Sequence, residues 1–161
     1  REIADALNRL DEAEQLISEF EERARTIGER LGAPESPPQV AVLRAFPDAL
    51  RYELPGIFSG SIVYGDVGLA PPSGFESEAA AGEFGVIISA EKLLLGDAPN
   101  LIMYSFTTDV AADFATVRDQ PLFPNLQAAQ EGNVFEVGSH WFDGSLIAAN
   151  LILDDLERIF L

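Results

Sequence analysis

The sequence predicts an α/β fold, built on a five-stranded, mostly parallel or mixed sheet with helices on both faces. Three observations carry it. Short apolar runs rich in β-branched residues alternate with segments of helical period. Clusters of Gly, Pro, Asp and Ser separate them. The closing thirty residues also run in the order strand, aromatic turn, helix: Gly132-Asn133-Val134-Phe135-Glu136-Val137-Gly138, then Ser139-His140-Trp141-Phe142, then residues 144–161.

In chain order, Ile3, Ala6, Leu7 and Leu10 keep helical spacing. Asp11 then caps a new helix, with Glu14 at the capping-box position. Residues 11–31 place Ala13, Leu16, Ile17, Phe20, Ala24, Ile27 and Leu31 on one stripe and charged residues on the other, and Gly32 ends the helix. Residues 34–38 form a Pro-bounded linker before Val40-Ala41-Val42-Leu43-Arg44-Ala45-Phe46, which reads as a buried strand. Pro47-Asp48 turns the chain, and Leu50-Arg51-Tyr52-Glu53-Leu54 returns as a second strand. Residues 57–67 read as a helix ending at Gly68, and residues 70–82, rich in Pro, Ser and small side chains, as a flexible loop. The third strand is expected at 84–88, with Ser89 capping a helix over 90–94. The fourth is expected at 101–106, a helix at 109–118 and the fifth strand at 134–137.

Composition bounds the function classes. At 161 residues the chain is one domain in size, able to bury about 70% of its unfolded surface. The absence of cysteine excludes a disulfide scaffold, a Cys-ligated zinc site and a thiol nucleophile, and it suits an exported protein. A formal charge of -17 argues against nucleic acid and against an anionic membrane surface, because both demand clustered Lys and Arg. No apolar run approaches the roughly 18 residues of a membrane-spanning helix, so no membrane insertion is expected of this segment. The chain starts on Arg1, without Met and inside a helical pattern, and so reads as a fragment or a processed product.

Candidate site residues lie at the ends of the expected strands, where open α/β sheets bind ligands. Only Arg44 and Arg51, of ten basic residues, lie between Leu31 and Glu91. A tight turn at Pro47-Asp48 sets positions 44 and 51 directly opposite each other, and like charges so placed cost roughly 0.2–1 kcal/mol. Two compensations are open. Asp48 or Glu53 neutralises the pair, or the two guanidinium groups grip an anionic ligand through charge-assisted hydrogen bonds, a task for which Arg is better suited than Lys. Tyr104 and Phe106 share one face at the end of the fourth strand, with Ser105, Thr107 and Thr108 supplying hydroxyls. Trp141, the only Trp, offers a flat face and an N–H donor in what reads as an exposed turn. The neighbouring His140 lacks the companion ligands of a metal site or the partners of a general base. Asp154 and Asp155 are adjacent on the closing helix and point to different faces, so they do not converge as an iron site built from carboxylates requires.

No G-x-S-x-G elbow, phosphate-binding loop or G-x-G-x-x-G turn is present, and Ser145, His140 and Asp143 lie too close in sequence to form a triad. The chain reads as a binding module and not as an enzyme.

The pattern Pro121-Leu122-Phe123-Pro124-Asn125-Leu126, Gly132 to Val137, Trp141 and Ala148-Ala149-Asn150-Leu151-Ile152-Leu153-Asp154-Asp155-Leu156 resembles the end of an iron-siderophore substrate-binding protein of ABC importers. Arg44-Ala45-Phe46-Pro47-Asp48 followed by Arg51 is similar to another recurring run of that family. The resemblance implies one lobe, the C-terminal one, of a two-lobe binding protein, with residues 1–9 as the stump of the interlobe helix and residues 10–161 as the lobe. It implies a ligand site that includes Arg44, Phe46, Arg51, Tyr104, Phe106, His140 and Trp141. The ligand would be iron(III) already wrapped in its siderophore, so no cofactor is implied. The implied partners are an N-terminal lobe and an importer permease, and the implied location is extracytoplasmic, in the periplasm or on a surface lipoprotein. The chain departs from the family where many members carry an acidic permease-docking residue: Ser61 stands there, and Asp66 is the nearest carboxylate. The alternatives are a cobalamin or haem receptor of the same architecture and a free-standing acidic α/β interaction domain.

Overall fold

The computed structural model describes residues 8–33, 35–46, 49–56, 58–75 and 86–161. The first helix, α1 (Leu10–Arg30), buries Phe20, Ala24, Ile27 and Gly28 along one stripe. It begins two residues earlier than the capping-box reading requires. Arg9 occupies the N-cap without a side-chain cap, and Asp11 lies inside the first turn with Glu12, where the two carboxylates act on the helix dipole. The expected interlobe stump falls almost wholly outside the described residues.

Five strands form one mixed sheet: β1 (Val40–Ala45), β2 (Leu50–Tyr52), β3 (Val86–Ile88), β4 (Asn100–Tyr104) and β5 (Val134–Val137), in the order β3-β2-β1-β4-β5. Strand β1 runs parallel to β4, and β4 parallel to β5. On the other side β1–β2 and β2–β3 are antiparallel. Central β1 is buried along its whole length, as its unbroken apolar character requires of a strand covered on both faces. The β1–β2 register pairs Leu43 with Tyr52, Arg44 with Arg51 and Ala45 with Leu50. The predicted opposition of the two arginines is therefore present.

Each face of the sheet carries its own core. On one, Val40, Val42, Ile102 and Tyr104 meet α1, the helix α2 (Phe58–Gly60, continued as a π-helical stretch Ser61–Asp66) and the closing helix. On the other, Ala41, Leu43, Leu101 and Met103 meet the 3-10 turns Ser73–Phe75 and Ala90–Gly96, α3 (Val110–Arg118) and α4 (Gln127–Glu131). The closing helix, α5 (Leu146–Phe160), is capped by Ser145, whose hydroxyl accepts from the Ala148 amide. Helix α4 has no counterpart in the sequence reading; five residues are too few to display a period. The strand expected at 101–106 runs from Asn100 to Tyr104 in the structure; of the one expected at 84–88, Val86–Ile88 is strand and residues 84 and 85 lie outside the described part.

Helices α1 and α5 are tied by charge as well as by packing. Arg23 reaches Asp154 at 2.5 Å and Glu157 at 2.7 Å, while Arg30 reaches Glu157 at 3.2 Å. Asp154 thus serves this seam, and Asp155, on another side of α5, turns to the aromatic loop described below. Gly28 lets α1 approach the end of the π-helical stretch, because a Cβ there would lie 2.2 Å from the Val67 carbonyl oxygen.

Candidate ligand-binding site

The C-terminal ends of the parallel strands β1, β4 and β5 open onto one edge of the sheet, and β2 starts from the same edge. Arg44 is the penultimate residue of β1, Phe46 follows its end, and Phe106 follows β4 by two residues. The 3-10 turn Ser139–Phe142 follows β5 and delivers Phe142. Phe58 comes from the start of α2, where it holds a positive φ of 46°, a conformation costly for a bulky residue. Two residues on, Gly60 packs against the chain so closely that a Cβ would sit 2.1 Å from the Leu54 carbonyl oxygen.

These four rings enclose one guanidinium group. The Arg44 Cζ lies 4.8 Å from the Phe46 ring centre, 5.0 Å from Phe142, 5.8 Å from Phe58 and 5.9 Å from Phe106. All are within the reach of cation–π attraction. The rings also support one another: Phe106 stacks on Phe142 at 4.2 Å, Phe142 on Phe58 at 5.4 Å, and Phe46 meets Phe106 edge-on at 5.7 Å. Phe106 remains 40% exposed and forms the outer wall, whereas Arg44 is only 3% exposed. A hollow of about 350 Å³ lies beyond Phe58, bordered by Ser61, Ile62, Asp143, Ser145 and Leu146.

Behind the arginine lies a buried carboxylate. Glu53 is wholly buried; its Oε1 accepts from the Tyr104 hydroxyl at 2.6 Å and lies 3.4 Å from Arg44 Nε. That last approach is an ion pair without hydrogen-bond alignment, and Arg44 Nε, Arg51 Nε and Glu53 Oε2 are buried without hydrogen-bond partners among the described residues. Burial pushes the Glu53 carboxyl above the ordinary carboxylate range, and the Tyr104 hydroxyl, Arg44 and Arg51 pull it only part of the way back. The carboxylate compensation anticipated for the arginine pair is therefore present as Glu53; Asp48 lies outside the described residues.

The expected site residues divide into two groups. Arg44, Phe46, Arg51 and Phe106 meet at the sheet edge, with Tyr104 beneath them. Tyr104 is fully buried, so its face is part of the core and its hydroxyl serves Glu53; direct ligand contact by its ring is corrected. Trp141 is corrected likewise. Its turn packs inward, the indole is 0% exposed, and Nε1 donates to Asp155 Oδ2 at 2.9 Å. His140 turns the same way, with Nε2 2.9 Å from Asp155 Oδ2. Two of the hydroxyls after β4 are occupied too: Ser105 donates to Asp113 at 2.5 Å, and Thr107 donates to the same carboxylate. That cluster fixes the turn from which Phe106 projects. Phe58 and Phe142 were missed as wall residues. Phe142 was legible only as part of an aromatic turn, and Phe58 carried no local signal.

No family model matches the chain. Among curated proteins it is 28% identical, over a 167-residue alignment, to the achromobactin-binding periplasmic protein of Dickeya dadantii, covering 98% of this chain and 53% of that protein. It is also 28% identical to a probable siderophore-binding lipoprotein of Bacillus subtilis, covering 98% of this chain and 51% of that protein. The fold compares with a FhuD fold-family periplasmic binding protein of Bacillus subtilis at a TM-score of 0.86, with 17% identity, over 99% of this chain and 59% of that one. The fold is that of one lobe of a FhuD-type binding protein. The same lobe matches SirA of Staphylococcus aureus at a TM-score of 0.83, with 18% identity, over 97% of this chain and 61% of that one. It matches FhuD2 of Staphylococcus aureus with bound ferrioxamine B at 0.81, with 14% identity, over 98% of this chain and 60% of that one. The chain spans about half the length of the curated relatives it matches. The resemblance read from the two sequence runs is thus shared by whole-chain sequence similarity and by the fold.

Proposed function

We propose that this chain is the C-terminal lobe of an extracytoplasmic receptor that captures a ferric siderophore and presents it to an ABC-importer permease. The observation that carries the reading is the buried Arg44 guanidinium beneath Phe46, Phe58, Phe106 and Phe142 at the strand ends, in a chain whose relatives are named for siderophore binding. Aromatic walls suit the apolar rim of a chelate, and an arginine pair suits its anionic oxygens. No group of three or more His, Cys, Asp or Glu side chains capable of holding a metal occurs among the described residues. Iron is read as cargo carried inside its chelator, in keeping with relatives named for binding siderophores. Ligand contact is assigned to Phe46, Arg51 and Phe106 at this edge, with the Arg44 guanidinium acting on the chelate's charge from beneath the rings, facing an N-terminal lobe that supplies the other wall of the cleft. No helix among the described residues is long and apolar enough to cross a membrane; placement outside the cytoplasm rests on the relatives' names as periplasmic protein and lipoprotein.

Titration with ferric chelates, read by Trp141 emission, tests the proposal. The indole lies 6.4 Å from the Tyr104 ring under the site, so an iron chelate seated on the rings quenches it. Quenching should saturate for at least one ferric siderophore and tighten when the N-terminal lobe is supplied. Absence of saturable quenching by hydroxamate, catecholate and carboxylate chelates alike, with both lobes present, would overturn it.

A further inference from the structure

We infer that Glu53 is an internal counter-ion competing with the ligand for Arg44, so that seating an anionic chelate at the arginine edge is coupled to uptake of a proton by Glu53. The inference rests on the proposed arginine site and assigns that site a specificity-determining residue which itself never touches the ligand.

The geometry carries the argument. Arg44 and Glu53 are 3% and 0% exposed and lie 3.4 Å apart. Among the described residues, the charged and titratable groups facing Glu53 are Arg44 from β1, Arg51 from β2, Tyr104 from β4 and Tyr64 from the π-helical stretch. Tyr104 donates to Oε1, and the Tyr64 hydroxyl is committed to the Val40 carbonyl oxygen at 3.0 Å. Oε2 has no donor among the described residues, so the carboxylate is held with part of its hydrogen-bonding capacity unmet, a costly state for a buried anion. In the unliganded protein the two arginines nevertheless favour the anion. A ligand carboxylate brought to the same guanidinium groups supplies a second negative charge in a medium of low polarity, and two neighbouring carboxylates that share a site cannot both stay ionised cheaply. The buried one takes the proton. Its neutral form keeps the Tyr104 hydrogen bond and leaves both arginines to the ligand. An uncharged chelate exerts no such pressure, so the coupling discriminates in favour of anionic ligands as the pH falls.

The test uses ferric citrate as the anionic probe and ferrioxamine B, which lacks carboxylates, as the control. Titration calorimetry on the two-lobe protein, in two buffers of different ionisation enthalpy, reads the protons taken up per chelate bound. Wild type should take up about one proton more with ferric citrate than Glu53→Gln does; the comparison cancels protonation of the chelate itself. Glu53→Gln should bind ferric citrate several-fold more tightly near neutral pH and lose most of the pH dependence, with ferrioxamine B affinity unchanged. Tyr104→Phe keeps the carboxylate but removes its donor, and should lower the proton uptake if Glu53→Gln fails to fold. Equal proton uptake in wild type and in both variants, or weaker citrate binding by a folded Glu53→Gln, overturns the inference. Arg44→Gln separates the two layers: if citrate affinity falls with Arg44→Gln but proton uptake does not involve Glu53, the arginine site stands and the counter-ion fails. If citrate does not bind, or binds indifferently to Arg44→Gln, both fail.

Discussion

Arg44 and Arg51 are direct cross-strand partners on β1 and β2, and their common counter-ion, Glu53, follows two residues after Arg51 on the same hairpin. One hairpin therefore holds two cations and one buried anion. The apolar rings around Arg44 shield its guanidinium, and Glu53 is fully buried, which strengthens the interaction between them and raises the cost of any imbalance.

Arg44→Gln should unbalance the site in a pH-dependent way. Without Arg44 the Glu53 carboxyl, already raised by burial, rises further. A raised carboxyl contributes stability that is full below its unfolded value and lost as pH rises through its folded value. The variant should thus be nearly as stable as wild type in mild acid and progressively weaker above, approaching the about 3–5 kcal/mol of a broken buried pair. Urea unfolding at several pH values measures this, and Arg44→Gln combined with Glu53→Gln should recover most of the loss. A deficit that is constant with pH would assign Arg44 a packing role only.

Arg51→Gln should behave differently, because Arg51 is only half-buried. Removing half of a like-charge pair relieves about 0.2–1 kcal/mol, and the lost attraction to Glu53 offsets that gain, so apo stability should stay nearly level. Binding of anionic ferric chelates to the two-lobe protein should weaken by about 1.5–3 kcal/mol, the scale of hydrogen bonds to charged groups. Unchanged affinity for every anionic chelate, together with a destabilised fold, would remove Arg51 from the ligand site.

Trp141→Ala should unfold far more easily than wild type. The indole is fully buried against the first core cluster, and truncating such a ring costs about 3–5 kcal/mol. Denaturant midpoints decide the matter: a stable, folded variant with weakened chelate binding would return Trp141 to the cleft.

Much of this was legible in the chain. Long periodic segments announced α1 and α5, and the length of the 46–49 connection fixed the register that opposes Arg44 and Arg51. Convergence of Phe46 and Phe106 followed from strand ends sharing an edge. The inward rotation of Trp141 was not legible, because nothing local to Ser139-His140-Trp141-Phe142 tells which way a short turn packs. The deciding partner, Asp155, lies fourteen residues downstream. Phe58 was hidden for a similar reason: its place depends on the tight passage at Gly60 and on an unusual backbone angle, both set by tertiary contact. Total burial of Glu53 ran against the ordinary exposure of glutamate, although its charge made it a candidate partner for the arginines.

Asp155 offers a prediction in acid. Burial tends to raise its carboxyl, but Arg158 at 2.6 Å, the Trp141 indole N–H and His140 outweigh that and hold it below the ordinary value of 3.8. A depressed carboxyl contributes stability that is present above its unfolded value and lost as pH falls through its folded value. Asp155→Asn should therefore cost about 1.5–3 kcal/mol near neutral pH, loosening the turn that carries Phe142. The difference from wild type should shrink as pH falls below the ordinary value of 3.8, where the unfolded chain takes up the proton first, and be lost once the native carboxylate is protonated in turn. Thermal melts across this range test it. If the deficit of Asp155→Asn is the same at every pH, the carboxylate charge contributes nothing and Asp155 acts as a neutral acceptor for the Trp141 indole alone.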